Sequence, residues 1–147
     1  MAEQSWAKQA TDRFFEARTT PTQEQCDQTA RFITRASTVL PVNIPGSLSY
    51  TVVCTGRQSQ RKDIIMSFRE AGSGLNSYIT KQAQEIHGAL VPDVKYRGMM
   101  RGAEPPLGMY SMSYLPGIPC LDVLSYVSQI DSEDKPRHIC YIKHLAK

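Results

Sequence analysis

The chain has 147 residues, of which 41% are hydrophobic and 21% are charged, and its formal net charge is +3. This length suits one domain with a real core, and the composition excludes a disordered tail or a fibrous repeat. A charge this small, on scattered lysines and arginines, does not indicate a nucleic-acid partner.

The sequence carries no signal for a membrane or for secretion. It has no window of about 18 apolar residues, and residues 1–8 lack the apolar centre of a signal peptide. The four cysteines are widely separated and form no Cys-x-x-Cys pair: Cys26, Cys54, Cys120 and Cys140. We therefore expect a cytoplasmic protein with reduced, mostly buried thiols, no zinc site and no disulfide framework.

Two amphipathic helices are predicted before residue 37. The first is capped by Ser5, and its apolar stripe consists of Trp6, Ala10, Phe14 and Ala17. The second follows a capping box in which Thr20 is the cap, Pro21 the first helical residue and Gln23 the partner of the cap. It should end near Ala36, and its inner face consists of Cys26, Ala30 and Ile33.

A strand hairpin is predicted after the helices. Residues 39–44, with Pro41 inside the run and Pro45 directly after it, favour a short edge strand. Residues 45–54 (PGSLSYTVVC) lead from small residues into a β-branched strand, which fits a loop over phosphates but also an ordinary hairpin. A polar turn over residues 56–62 precedes a strand over residues 63–69. Its last residue, Arg69, is either a phosphate ligand or a polar strand end.

A third helix and further strands come next. The glycines of residues 72–74 break the chain, and Asn76 or Ser77 can cap a helix that ends near His87. The apolar stripe of this helix consists of Ile79, Ala83 and Ile86. Residues 94–99 then predict another strand.

Residues 107–121 (LGMYSMSYLPGIPCL) join a strand to a helix through an abrupt break. Side chains alternate between two faces over residues 109–114, and the strand must end at Pro116 and Gly117. The run Met112-Ser113-Tyr114-Leu115-Pro116-Gly117 resembles the Met-Glu-Tyr-Leu-Pro-Gly hinge of the aminoglycoside phosphotransferase and choline kinase-like family. The Gly-Ser-x-Ser-Tyr-x-Val run that begins at Gly46 is similar to versions of this family common in fungal genomes.

The resemblance implies an α+β fold, the small lobe of a protein-kinase-like protein. An antiparallel sheet of about five strands, with a helix against it, would occupy residues 37–117. Residues 1–36 would form an N-terminal helical extension. Residues 118–147 would form the hinge and two helices, the start of a large lobe that is truncated at Lys147, where no capping residue ends the last helix.

The resemblance also implies a nucleotide site in this lobe. The loop over the phosphates would be formed by Gly46, Ser47 and Ser49, and the adenine would meet backbone groups of Met112, Ser113 and Leu115. Arg69 would neutralise the α- and β-phosphates, with Glu85 of the third helix as its acidic partner. ATP is then the implied cofactor.

Catalysis by this chain alone is not expected. The family's catalytic loop reads His-Gly-Asp with an asparagine five residues later, but Ala89 and Val94 stand at those positions after His87. The carboxylates of Asp131, Glu133 and Asp134 precede a helix, whose N-terminus explains their charge without a metal. We name no catalytic or metal-binding residue, and Mg²⁺ is implied only if a large lobe is supplied.

Two functions stay open at this stage. The chain is a truncated small-molecule kinase, a pseudoenzyme that binds ATP weakly, or it is a non-catalytic binding or scaffolding protein, such as an accessory of a fungal metabolic pathway. Both predict an apolar surface on the C-terminal helices, formed by Leu121, Leu124, Ile139, Ile142 and Leu145. We expect a homodimer, or a partner protein that covers the surface of the missing lobe.

Overall fold

A computed structural model describes residues 6–56 and 62–117 of the protein. The chain divides into two compact units, Met1–Leu115 and Pro116–Lys147. The helices are α1 (Trp6–Glu16), α2 (Gln23–Thr34) and α3 (Ser77–His87), and the strands are β1 (Thr38–Pro41), β2 (Ser49–Thr55), β3 (Ile64–Glu70), β4 (Val94–Met99) and β5 (Leu107–Ser113). The predicted helices and apolar surface of residues 118–147 lie outside the described residues.

All five strands form one antiparallel sheet in the order β1-β2-β3-β5-β4. The α+β class and the antiparallel sheet of about five strands are therefore confirmed. β4 pairs with β5 through a register shift between Tyr96 and Gly98, so one residue bulges out of this edge strand. No described helix is long and apolar enough to cross a membrane.

The core lies between one face of this sheet and the helices α1 and α2. Alternation along the strands directs Tyr50, Val52, Cys54, Met66, Phe68, Leu107 and Met109 to this face, and all are buried. The rings of Phe14 and Tyr50 are stacked at 6.5 Å, and those of Tyr50 and Phe68 at 6.3 Å. The two N-terminal helices thus share one core with the sheet.

Helix α2 begins two residues later than the sequence indicated. Its cap is Thr22, whose Oγ1 accepts a hydrogen bond from the backbone N of Gln25, and Gln25 Oε1 in turn accepts one from Thr22 N. The assignment of Thr20 as the cap was wrong, because Thr20 instead pairs as an isolated β-bridge with Glu104. The predicted inner face holds, since Cys26 and Ala30 are fully buried.

The apolar stripes predicted for α1 and α3 are largely exposed. In α1 the side chain of Phe14 is buried, but Trp6 is 60% exposed. Asn76 caps α3 as expected, yet α3 buries no residue, and Ile79 and Ile86 are 61% and 74% exposed. The expected helix against the sheet is therefore not α3, because α1 and α2 cover the face that carries the large buried side chains.

Arg18, just after α1, is a fully buried cation that joins three parts of the fold. Its Nη2 lies 2.8 Å from Glu70 Oε1, at the end of β3, and its Nη1 donates to Pro105 O, before β5. Its Nε donates to Phe14 O, and the guanidinium lies 4.3 Å from the centre of the Phe14 ring. These contacts satisfy a charge that would otherwise be costly to bury.

We expect the Arg18→Met variant to lower the free energy of unfolding by about 2 to 3 kcal/mol. The methionine fills a similar volume but leaves the Glu70 carboxylate and two carbonyl groups without their donor. Urea denaturation measures the change. The matched control is Lys95→Met, which breaks the exposed Lys95 to Asp93 pair and should cost no more than about 0.5 kcal/mol. Equal losses in the two variants would contradict this role of Arg18.

Candidate functional site

The face of the sheet opposite α1 and α2, which we call the second face, has an apolar row near the C-terminal end of β5. Residues paired across the five strands form this row: Leu40, Val53, Ile65, Met112 and Val94. The side chains of the central three, on β2, β3 and β5, are half-buried. A continuous apolar row on a sheet face offers a flat surface for the ring of a ligand.

The next rows of the second face are polar. Thr51 of β2 pairs with Ser67 of β3, and their hydroxyl oxygens lie 3.0 Å apart. Two residues further along these strands, Ser49 pairs with Arg69, and Arg69 pairs with Gly108 of β5. At the usual rise of a strand, Arg69 lies about 13 Å from the apolar row. The row of Thr51 and Ser67 continues into Tyr110 of β5 and Tyr96 of β4. The second face therefore changes from an apolar row to a row of hydroxyl and aromatic side chains, and then to Arg69, along its length.

The guanidinium of Arg69 makes a hydrogen bond through its Nε group. Its Nε donates to the backbone carbonyl of Ser73 at 2.7 Å. Among the described residues, its two Nη groups have no hydrogen-bond partner. The neighbour across the strand pair is Gly108, where a Cβ would lie only 3.2 Å from the Tyr110 ring. Arg69 thus has donors that can still bind an anion.

The loop before β2 separates its two serines. Ser49 is buried at the start of β2 and belongs to the second face. A Cβ at Gly46 would lie 3.0 Å from Ser49 Oγ, so a larger residue at this position would crowd that hydroxyl. Ser47 instead lines a cavity of about 400 Å³ beside α1, together with Trp6 and Glu70. Only Ser49 of the two therefore lies in the row of Arg69.

Residues 113–115, at the end of β5, have few backbone N–H groups left to bind a ligand. Ser113 N donates to Asp93 O at 3.1 Å, and Ser113 Oγ accepts from Asp93 N. Tyr114 N donates to Asp63 O at 3.2 Å. Within the described residues, the N–H of Leu115 has no such partner. Leu115 N–H is therefore a donor that a ligand could use at this end of the second face.

The structure gathers some of the predicted site residues and not others. Ser49, Arg69 and Met112 share the second face, with Leu115 beyond one end of it. Glu85 is exposed on α3 and makes no ion pair with Arg69 in the described part of the chain, so its role as acidic partner stays a prediction.

Sequence reasoning missed four residues of the second face: Thr51, Val53, Ile65 and Ser67. The signal was present in the hairpin, because residues at equal distances from its turn must pair. Residue 53 therefore faces residue 65, and residue 51 faces residue 67.

A buried polar cluster under α2 does not form a reactive site. Tyr50 OH donates to Asp27 Oδ1 at 2.8 Å and accepts from Gln23 Nε2 at 3.1 Å. Burial and the Asp27 carboxylate raise the pKa of the Tyr50 hydroxyl far above its usual value. Burial, followed by the Asp27 charge, raises the pKa of the Cys26 thiol to about 12. Both groups stay protonated at neutral pH, so neither serves as a nucleophile.

Metal ligands are not grouped in the described ranges, where no cluster of three or more His, Cys, Asp or Glu residues could hold an ion. Comparisons with protein-family models, with curated proteins and with solved structures gave no match for this chain.

The free energy of unfolding should decrease as the pH rises, in part because Asp27 ionises. We expect the Asp27→Asn variant to show a smaller decrease than the wild type. Burial raises the pKa of Asp27 above its usual value, so the folded state binds this proton more tightly than the unfolded state. The free energy of unfolding should therefore fall as the pH rises from about 4 through the raised pKa. An asparagine still accepts the bond from Tyr50 but cannot ionise.

Thermal unfolding between pH 4 and pH 7 tests this sign. The melting temperature of Asp27→Asn minus that of the wild type should become more positive toward pH 7. Asp93→Asn, at an exposed position, gives the comparison. A difference that stays constant or turns negative as the pH rises would contradict the prediction.

Proposed function

We propose that the protein binds a nucleoside triphosphate such as ATP on the second face of its sheet, as the small lobe of an aminoglycoside phosphotransferase or choline kinase-like protein does. The observation that supports this most is the polarity gradient of that face. An apolar row, a pair of hydroxyl groups and a cation follow one another over about 13 Å. A base, a ribose and a phosphate chain have the same order of polarity.

The base would lie against the apolar row. Val53, Ile65 and Met112 are paired side by side in the three central strands, so together they present one flat surface. Their half-buried side chains would lose their remaining contact with water when a ring covers them, which is the main source of affinity here. The N–H of Leu115, at the hinge, would give the base edge one hydrogen bond.

The phosphates would lie beside Arg69. Its Nη groups are donors that no described residue uses, and a guanidinium binds phosphate oxygens in a bidentate manner. The hydroxyl of Ser49 lies in the same row, and the hydroxyls of Thr51 and Ser67 lie between Arg69 and the apolar row. Ser49 and Ser67 are buried, so the half-buried Thr51 is the hydroxyl group of these three that would meet a ribose.

This site would bind but not transfer a phosphoryl group. One sheet face gives a ligand half of a cleft, so we expect a dissociation constant on the order of 1 mM, about 4 kcal/mol of binding free energy. Phosphoryl transfer also needs a base that orients the acceptor and ligands for Mg²⁺. The sequence assigns neither role to a residue of this chain, so a complementary lobe would have to supply them.

A second candidate function, a non-catalytic binding or scaffolding module, is favoured by α3. The side chains of Ile79 and Ile86, seven residues apart on this helix, are 61% and 74% exposed. Apolar side chains that are exposed together on one helix commonly mark a protein interface. This function would not require a nucleotide on the second face.

Titration with ATP, followed by NMR, tests the proposed function. Backbone amide signals of Gly46, Ser49, Arg69 and Leu115 should shift together and saturate in the millimolar range. Ile65→Thr keeps a β-branched residue but adds a hydroxyl to the apolar row, and it should weaken binding about fivefold.

The matched control is Ile79→Thr, the same substitution on the exposed face of α3. It should leave the affinity for ATP unchanged. Shifts confined to exposed lysines and arginines, or equal effects of the two substitutions, would contradict binding on the second face.

A further inference from the structure

The hydroxyl of Ser73 links two segments that border the charged end of the second face. Its Oγ lies 3.2 Å from Leu48 O, in the loop before β2, and 3.1 Å from Glu70 O, at the end of β3. Glu70 N also donates to Leu48 O at 3.3 Å. The short turn Ala71–Ser73 is therefore tied to the loop and to the strand at the same time.

The same residue orients Arg69 through its main chain. The carbonyl of Ser73 accepts the bond from Arg69 Nε at 2.7 Å, which fixes the plane of the guanidinium. The carbonyl can hold this position only while the turn is fixed. The single proton of the Ser73 hydroxyl is shared between the carbonyls of Leu48 and Glu70, so this one group contacts both neighbouring segments.

Tyr110 supports the turn from the sheet side. A Cβ placed on Gly74 would lie 2.9 Å from the Tyr110 hydroxyl oxygen, so the chain passes close to the hydroxyl end of this side chain. The Tyr110 ring is itself packed against Tyr96 at 5.2 Å. Tyr110 therefore supports the turn on the side of the sheet. The position of the turn relative to the loop before β2 depends on the hydroxyl of Ser73.

We infer that Ser73 is a positioning residue for the phosphate end of the site. Its hydroxyl binds the loop before β2, and its carbonyl fixes the orientation of the Arg69 guanidinium. The loop and Arg69 can then contact a phosphate chain together. This inference rests on the proposed nucleotide function and names the part of the site that selects phosphorylated ligands. Ser73 touches no ligand itself. Its loss should therefore reduce the preference for ATP over adenosine and leave the binding of the base unchanged.

The experiment compares the dissociation constants of ATP and adenosine, by NMR titration, for the wild type and three variants. Ser73→Ala removes the hydroxyl and Ser73→Thr retains it. Ser77→Ala is the matched control, because no hydrogen bond of the Ser77 hydroxyl is recorded within the described ranges. We expect Ser73→Ala to lower the preference for ATP about fivefold, the factor typical of one lost hydrogen bond, and to change adenosine binding less than twofold. Ser73→Thr and Ser77→Ala should keep the preference of the wild type.

A second measurement reports on Arg69 without any ligand. The Nε–H signal of Arg69 should be protected from exchange with water in the wild type and in Ser73→Thr, and unprotected in Ser73→Ala. A Ser73→Ala variant that keeps both this protection and the preference for ATP would overturn the inference about Ser73 but not the proposed function. An equal loss of ATP and adenosine binding would also overturn it, because a general loss of structure affects both ligands. A wild type that binds neither ligand would overturn the proposed function itself.

Discussion

The ion pair between the buried side chain of Arg18 and the partly exposed Glu70 is the constraint on which the arrangement of this fold depends. Arg18 has a fully buried side chain, and its three nitrogen groups bind the end of α1, the end of β3 and the turn before β5. Glu70 must therefore point to the side of the helices. Alternation then directs its neighbour Arg69 to the opposite side, where the charged end of the second face lies.

The use of one sheet face for the helices determines what the other face can do. The large apolar side chains of β2, β3 and β5 are used where α1 and α2 pack, with Tyr50 and Phe68 at the centre. The second face carries an apolar row and more polar rows, and the hydroxyls of Thr51 and Ser67 lie 3.0 Å apart on it. Ser49 and Ser67 are buried there, while the half-buried side chains of Val53, Ile65 and Arg69 lie at fixed distances along the strands. The function we propose uses these distances.

The sequence predicted what depends on local pattern. β4 has the predicted bounds, and the hairpin of β2 and β3 was placed within a residue, because period-two alternation and turn residues act over short distances. The start of α2 was misplaced, since a distant segment containing Glu104 pairs with Thr20 and leaves Thr22 as the cap. The exposure of α3 and the position of β5 beside β3 depend on contacts between segments that are distant in the sequence, which a local pattern does not encode.

The central claim is that a nucleotide binds the second face with its base on the apolar row. Nuclear Overhauser contacts between the base protons of ATP and the methyl groups of the protein test it most directly. We predict contacts with the methyl groups of Val53, Ile65 and Met112, and none with Val52 or Met66, which neighbour them in sequence but lie on the helix side. Contacts with methyl groups of α3, or the absence of any contact while the amide signals shift, would contradict the account.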